Sequence, residues 1–240
     1  MTPTSSRRGN PVPGDRVTAM FDRIAPVYDR LNTTMTLGAD GRWRQAAVAA
    51  AGLRPGDSAI DVACGTGKLT LALAGRTGPF GRVVGVDRSL GMLELARAAA
   101  IDVVGVEYVE GDALALPVPD ATFDAATIAF GLRNLADFEA GFRELARVVR
   151  PAGRVICLEL TAVRPRAWGA IFRTGFGLVA PLLGRIAGSG DAYRYLPASL
   201  DGFPDADTMA ATMRAAGLTG IRYRRLGLGT VALHVGAVPG

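Results

Sequence analysis

The sequence predicts an α/β fold: a mostly parallel sheet with helices on both faces, ending in an antiparallel C-terminal hairpin. Three observations predict it. Between residues 58 and 160, apolar runs of strand length alternate with helical patterns, as in a parallel sheet crossed by helices. The stretch "IDVACGTGKLT" (60–70) ends an apolar run on a carboxylate, turns through two glycines and enters a helix that carries the only lysine. Two closing runs, "IRYRRLG" and "TVALHVG", are joined by a short glycine-bearing turn and read as a hairpin on the sheet edge.

Taken in order, the first fifteen residues hold three prolines and two glycines without apolar periodicity, so 1–15 reads as a flexible tail and 16–240 as one domain. Val17, Met20, Phe21, Ile24, Val27, Tyr28 and Leu31 recur at steps of three and four, the stripe of an amphipathic helix within an N-terminal cap (16–52). The strands follow as "SAIDV", "RVVGV", "VGVEYV", "FDAATIAF" and "RVICLEL", with helices from Leu69, Met92 and Phe138 between them. Residues 161–203 break the alternation with an apolar, arginine-studded stretch, read as a helical insertion or lid, and a helix around Met209–Ala216 precedes the hairpin.

The loop fits neither familiar phosphate motif. A P-loop needs glycine at 62 and a hydroxyl at 69, where Val62 and Leu69 stand, and a dinucleotide fingerprint needs a third glycine where Thr70 stands. Asp61 repels a pyrophosphate and suits a cation, so an adenosyl ligand with a positively charged amino-acid end fits best. Asp87 ends the second strand, placed to accept both hydroxyls of a ribose. Asp112, in "GDALALP" after the third strand, is a candidate partner for an adenine amino group. The plain structural alternative for either acid is a helix N-cap.

Composition excludes other classes. The longest tempting apolar run, "GFGLVAPLLG", is too short to span a bilayer. Arg7–Arg8 is followed by no apolar run, so an export signal is not expected and the expected location is the cytoplasm. Two cysteines, Cys64 and Cys157, are expected to stay reduced, and a single histidine, His234, leaves too few soft ligands for a protein-made zinc site. Residues 1–160 carry 18 basic and 18 acidic side chains and residues 161–240 carry 9 and 4, so the whole net charge of +5 is C-terminal. No basic run with interleaved aromatics argues for nucleic acid. The excess reads as a solvated face, or more sharply as a peripheral contact at the inner face of the membrane.

With these residues in view, the chain resembles the class I S-adenosylmethionine-dependent methyltransferases and, among them, the ubiquinone/menaquinone biosynthesis C-methyltransferases. The resemblance runs from about residue 16 to 237 and rests on "FDRIAPVYDRLNTTMTLGADGRWR", "GTGKLT", "YVEGDALALPVPDATFD", "FGLRNLAD", "RVVRPAGRVICLEL", "YRYLPASLDGFP" and "GTVALHVG". It implies a Rossmann-like seven-stranded methyltransferase sheet with the last strand antiparallel, S-adenosyl-L-methionine as cofactor, and a polyprenylated quinol as methyl acceptor. The chain departs from the family at Asp40, where a histidine is usual, and at Ala129, Ala152 and Thr161.

The resemblance places cofactor contacts at Thr66, Asp87, Asp112 and Ala113. With the loop and the strand ends, the full candidate set is Asp61, Gly65, Thr66, Gly67, Asp87, Asp112, Ala113 and Ala129. Arg133, in "FGLRN", is the candidate to stabilise a quinolate, with Asn134 orienting a quinol oxygen or a water; pairing of Arg133 with Asp137 is the structural alternative. Tyr28 and Asp40 are candidates to close over the acceptor. His234 reads as a satisfied structural histidine and Lys68 as solvated. In 163–203, Trp168, Ile171, Phe172, Phe176, Val179, Leu182 and Leu183 lie between arginines and read as a packing helix or as the wall for an isoprenoid tail. Two further functions stay open: methylation of another small apolar metabolite, and cofactor binding without turnover.

Overall fold

The computed structural model describes residues 9–10, 12–162 and 203–240. Of the predicted insertion or lid (161–203), residues 163–202, which include Trp168, Phe172 and Phe176, therefore lie outside the described chain. Helix α1 spans Gly14–Met35 and α2 spans Ala39–Ala51. Then come β1 (Ser58–Val62), α3 (Lys68–Thr77), β2 (Arg82–Asp87), α4 (Leu90–Ala99), β3 (Val106–Glu110) and β4 (Phe123–Ala129). A 3₁₀ turn (Leu132–Asn134), α5 (Phe138–Val148), β5 (Val149–Leu160), α6 (Ala206–Ala215), β6 (Thr219–Leu226), a second 3₁₀ turn (Gly227–Gly229) and β7 (Val231–Ala237) complete it.

Seven strands form one sheet in the order β3-β2-β1-β4-β5-β7-β6, with only β7 antiparallel to its neighbours. The closing strands are the predicted hairpin. Its second strand inserts between β5 and β6, because the apolar Val231–Val235 run is buried while β6 carries Arg222, Tyr223 and Arg224 outward.

Period-two alternation splits the core into two layers. Ile60, Val62, Val84 and Val86 pack with Phe142 and Leu145 of α5 and Met209 and Met213 of α6. Ala59 and Val83 face the other side, with Val48 of α2 and Leu69 and Leu73 of α3. Phe123 and Phe142 are fully buried, each contributing about 2–3 kcal/mol of transfer free energy.

The order of strands reverses between β1 and β4, and ligands of such sheets bind where the carboxyl ends diverge at that point. The tips of these two strands leave the sheet by left-handed turns: Ala63 has φ 54° and Phe130 φ 58°. They meet closely enough that a Cβ at Gly131 would strike the Ala63 methyl. Behind the glycine loop, Tyr108 lies opposite Gly85 in the β2–β3 register, and its ring and hydroxyl occupy the space that side chains at Gly85 and Gly67 would need.

Candidate functional site

A cleft of about 240 Å³ opens at the carboxyl ends of β1, β2 and β4. Its wall includes Gly65, Asp87, Asp112, Ala113, Ala129, Asn134 and Tyr28 from the sequence-predicted set. Asp61, Thr66, Gly67, Arg133 and Asp40 lie behind that wall, each held by another group.

Asp87 ends β2 with both carboxylate oxygens engaged by backbone: Gly65 N–H donates to Oδ2 (2.8 Å) and Ser89 N–H to Oδ1 (2.9 Å). Its partners therefore clamp the glycine loop to the second strand end. Burial holds its carboxyl above the usual carboxylate range, against the pull of those amides. Helix α4 takes its N-cap from Ser89, whose Oγ accepts from Met92 N–H, so Asp87 is not itself the cap. Over Gly65 (φ 56°) a Cβ would meet nothing within 4 Å, so the backbone there is open to a ligand. Asp112 Oδ1 accepts from Leu114 N–H (2.9 Å), and Oδ2 lies 3.4 Å from Arg88 Nη1.

Asp61 points away from the cleft, between β4 and α3. Thr70 and Thr127 hydroxyls each donate to it at 2.7 Å. Burial pushes its carboxyl up to about 6, although both hydroxyls favour the anion. Thr66 donates to Asp29 Oδ1 (2.8 Å), which also lies 3.4 Å from Lys68 Nζ. Lys68 is therefore paired with α1 rather than simply solvated. Gly67 caps α3 at φ 79°.

Arg133 donates through Nη1 to Glu159 Oε1 and to Phe130 O, both at 2.7 Å, and its backbone N–H donates to Glu159 Oε2 (3.2 Å). The expected alternative partner, Asp137, is corrected here: it N-caps α5 by accepting from Ala140 N–H (2.8 Å). The reason is topological, because β5 lies beside β4 and brings Glu159 beneath the turn that follows β4. Asp40 is 5% exposed and accepts from Thr36 Oγ1 and Arg44 Nη1. Burial would push its carboxyl up, but the Arg44 guanidinium overrides that and holds it below the usual range.

Helix α1 covers one side of the cleft with Val17, Thr18, Phe21 and Tyr28. It starts at Gly14, inside the stretch expected to be a tail, and Gly9 and Asn10 donate backbone hydrogen bonds to Ala136 and Leu135 carbonyls. Three aspartates seven residues apart fasten it. Asp15 pairs with Arg88 (2.8 Å), Asp22 accepts from Ser89 Oγ (2.6 Å) and Gly91 N–H (3.1 Å), and Asp29 accepts from Thr66.

Sequence reasoning missed Arg88, Asp22, Asp29, Phe130 and Glu159. The aspartate spacing and the acid within the apolar run "RVICLEL" were the available signals. His234 is buried on β7 with Nε2 2.9 Å from Ala206 O, as a structural histidine. Cys64 and Cys157 are free and buried. Among the described residues no cluster of three metal-ligating side chains occurs, and no helix is long and apolar enough to cross a membrane.

A seven-stranded sheet of this order, with an acid at the end of β2 facing a glycine loop, defines the Rossmann-like class of S-adenosylmethionine-dependent methyltransferases. Solved structures share the architecture. A SAM-dependent methyltransferase from Thermotoga maritima superposes with TM-score 0.64 at 18% identity over 92% of this chain and 98% of that one. One from Aquifex aeolicus gives 0.58 at 17% over 78% and 84%. Within that class the chain belongs to the ubiE/COQ5 methyltransferase family, whose profile matches residues 10–238. It is 46% identical to a demethylmenaquinone methyltransferase of Thermus thermophilus over 92% of this chain and all of the relative. It is 40% identical to a ubiquinone/menaquinone biosynthesis C-methyltransferase of an Enterobacter strain, over 92% of this chain and 90% of that protein.

Proposed function

We propose that the chain transfers a methyl group from S-adenosyl-L-methionine to a ring carbon of a polyprenylated quinol in quinone biosynthesis. The observation that carries this reading is one continuous cleft in which the acids at two strand ends adjoin a wall of Tyr28, Phe130 and Asn134. The residues present fit the donor. Asp87 keeps lone pairs for ribose hydroxyls beyond its two amides, the space above Gly65 is open, and Met92, Ala113 and Leu114 give an apolar slot beside Asp112. Bound there, S-adenosyl-L-methionine supplies a methyl group already activated on a cationic sulfur.

The chain's remaining task is to hold the acceptor and favour its anion. A phenol-like hydroxyl has a pKa of about 10, so roughly one molecule in a thousand is ionised at neutral pH. Asn134, on the cleft wall, orients the acceptor oxygen, and Tyr28 closes from α1. Arg133 enters this reading as a positioning residue: its guanidinium ties Phe130 to Glu159 and so fixes the strand tip that carries Asn134. Positioning supplies most of the acceleration, because a near-attack geometry replaces a bimolecular encounter. A lipid acceptor brings the chain to the membrane surface as a peripheral protein.

A quinone-making host without its own ring C-methyltransferase provides the test. Expression of the chain is expected to restore the fully methylated quinone by mass spectrometry, while the Asp87→Ala variant leaves the precursor accumulated. Accumulated precursor with the wild-type chain expressed and folded refutes the reading.

A further inference from the structure

Phe130 is held more firmly than packing requires. It follows the last residue of β4 in left-handed backbone, φ 58°, which is unfavourable for a bulky side chain and persists only where the surroundings over-determine it. They do so here from both sides of the backbone: its N–H donates to Leu158 O (2.8 Å) and its carbonyl accepts from Arg133 Nη1 (2.7 Å). The ring is braced as well. Trp43 packs against it with centroids 6.2 Å apart, and Arg44 Cζ lies 5.8 Å from its centroid. Arg44 is in turn fixed by the buried Asp40.

Phe130 nonetheless lines the cleft beside Tyr28 and Asn134. A residue whose ring is pinned, whose backbone is strained and which forms part of the cleft wall costs the fold stability and gives the cleft a fixed aromatic residue. The arginine draws on the ring's electrons from one side, which improves its stacking with an electron-rich partner. We infer that Phe130 is the specificity-determining contact for the acceptor, selecting a flat, electron-rich, oxygen-substituted aromatic ring. Asp40 and Arg44 act through it as positioning residues. This rests on the function proposed above and names how that site recognises its acceptor.

Leucine keeps bulk at 130 without a π face, and the chain already carries leucine at positive φ at positions 37 and 228. With a short-tailed prenylated naphthoquinol, Phe130→Leu is expected to raise KM at least tenfold and lower kcat less than threefold, leaving the Kd for S-adenosyl-L-methionine within twofold. Phe130→Tyr is expected to recover most of the loss. Arg44→Gln is expected to raise KM about threefold with Phe130 intact. Unchanged KM in Phe130→Leu, equal effects on KM and cofactor Kd, or no recovery by tyrosine overturns the assignment.

If the wild type methylates no quinol, the proposed function fails while the contact is still read from binding. In anaerobic dialysis, 1,4-dihydroxynaphthalene is expected to bind the wild type at least tenfold more tightly than Phe130→Leu. Equal binding overturns the contact by itself.

Discussion

Replacing Arg133 with alanine is predicted to damage stability before chemistry. The side chains of Arg133 and Glu159 are 4% and 2% exposed, so truncation leaves a carboxylate buried without its cation. Removing one partner of such a pair costs about 3–5 kcal/mol, and the hydrogen bond lost from Phe130 O adds roughly 1 kcal/mol. At about 2–4 °C per kcal/mol for a domain of this size, a loss of about 5 kcal/mol lowers Tm by ~10–20 °C. Glu159→Gln added to Arg133→Ala is expected to recover part of that loss, because the uncompensated charge is gone. Calorimetric melting of the two variants, with kcat against pH on the same preparations, checks this. The reasoning is refuted if Arg133→Ala keeps the wild-type Tm while its rising pH limb moves up by a unit or more and high pH partly restores it. That result assigns the guanidinium to the acceptor's oxyanion instead of the strand tip.

Asp87→Ala is expected to weaken S-adenosyl-L-methionine binding by ~2–4 kcal/mol in calorimetric titration, with Asp87→Asn between it and wild type; wild-type affinity removes Asp87 from the cofactor site. Asp61 binds its proton more tightly folded than unfolded, with a pKa of about 6 against 3.8. Stability therefore falls as pH rises from about 4 to 6, and above 6 the buried anion carries its full cost, on the order of 3 kcal/mol. Asp61→Asn is thus expected to raise Tm at pH 7.5 and to lose that advantage by pH 4; a lower Tm at pH 7.5 contradicts the sign. Asp22→Ala removes the acceptor of Ser89 Oγ and Gly91 N–H, so α1 is expected to become protease-sensitive and cofactor affinity to drop roughly fivefold, about 1 kcal/mol. Unchanged cleavage and affinity separate α1 docking from cofactor binding.

The central strands were legible because buried parallel strands are continuous apolar runs, and the second and third end on acids, Asp87 and Glu110, that no core demands. The start of β5 was hidden by Pro151 and Gly153, which read as a turn but occupy a strand irregularity opposite Phe123 and Ala125. Helix α2 was not separated from the N-terminal cap, since of the two left-handed residues at the break, Leu37 (φ 50°) and Gly38 (φ 75°), only the glycine gives a sequence signal. Within the site, Asp87 and Asp112 were legible from strand-end position, whereas the direction of a side chain was not. Asp61 looks like Asp87 in sequence, yet strand alternation turns it toward Thr70 and Thr127 on the α3 side. Arg133 stands four residues from Asp137, but its partner Glu159 comes from the adjacent strand, a neighbour only topology supplies. Phe130 was absorbed into its strand, because nothing in a phenylalanine announces left-handed backbone.

Methyl transfer to a quinol ring carbon can be read from the product itself. Purified chain is incubated in detergent with S-adenosyl-L-methionine bearing a trideuterated methyl group and a reduced prenylated naphthoquinol, and the extracted product is read by mass spectrometry and proton NMR. A ring-carbon-bound trideuteromethyl group replacing the ring hydrogen is expected, and it is absent with Asp87→Ala. Label on oxygen, or no label in the lipid while the cofactor binds normally, contradicts methyl transfer to carbon.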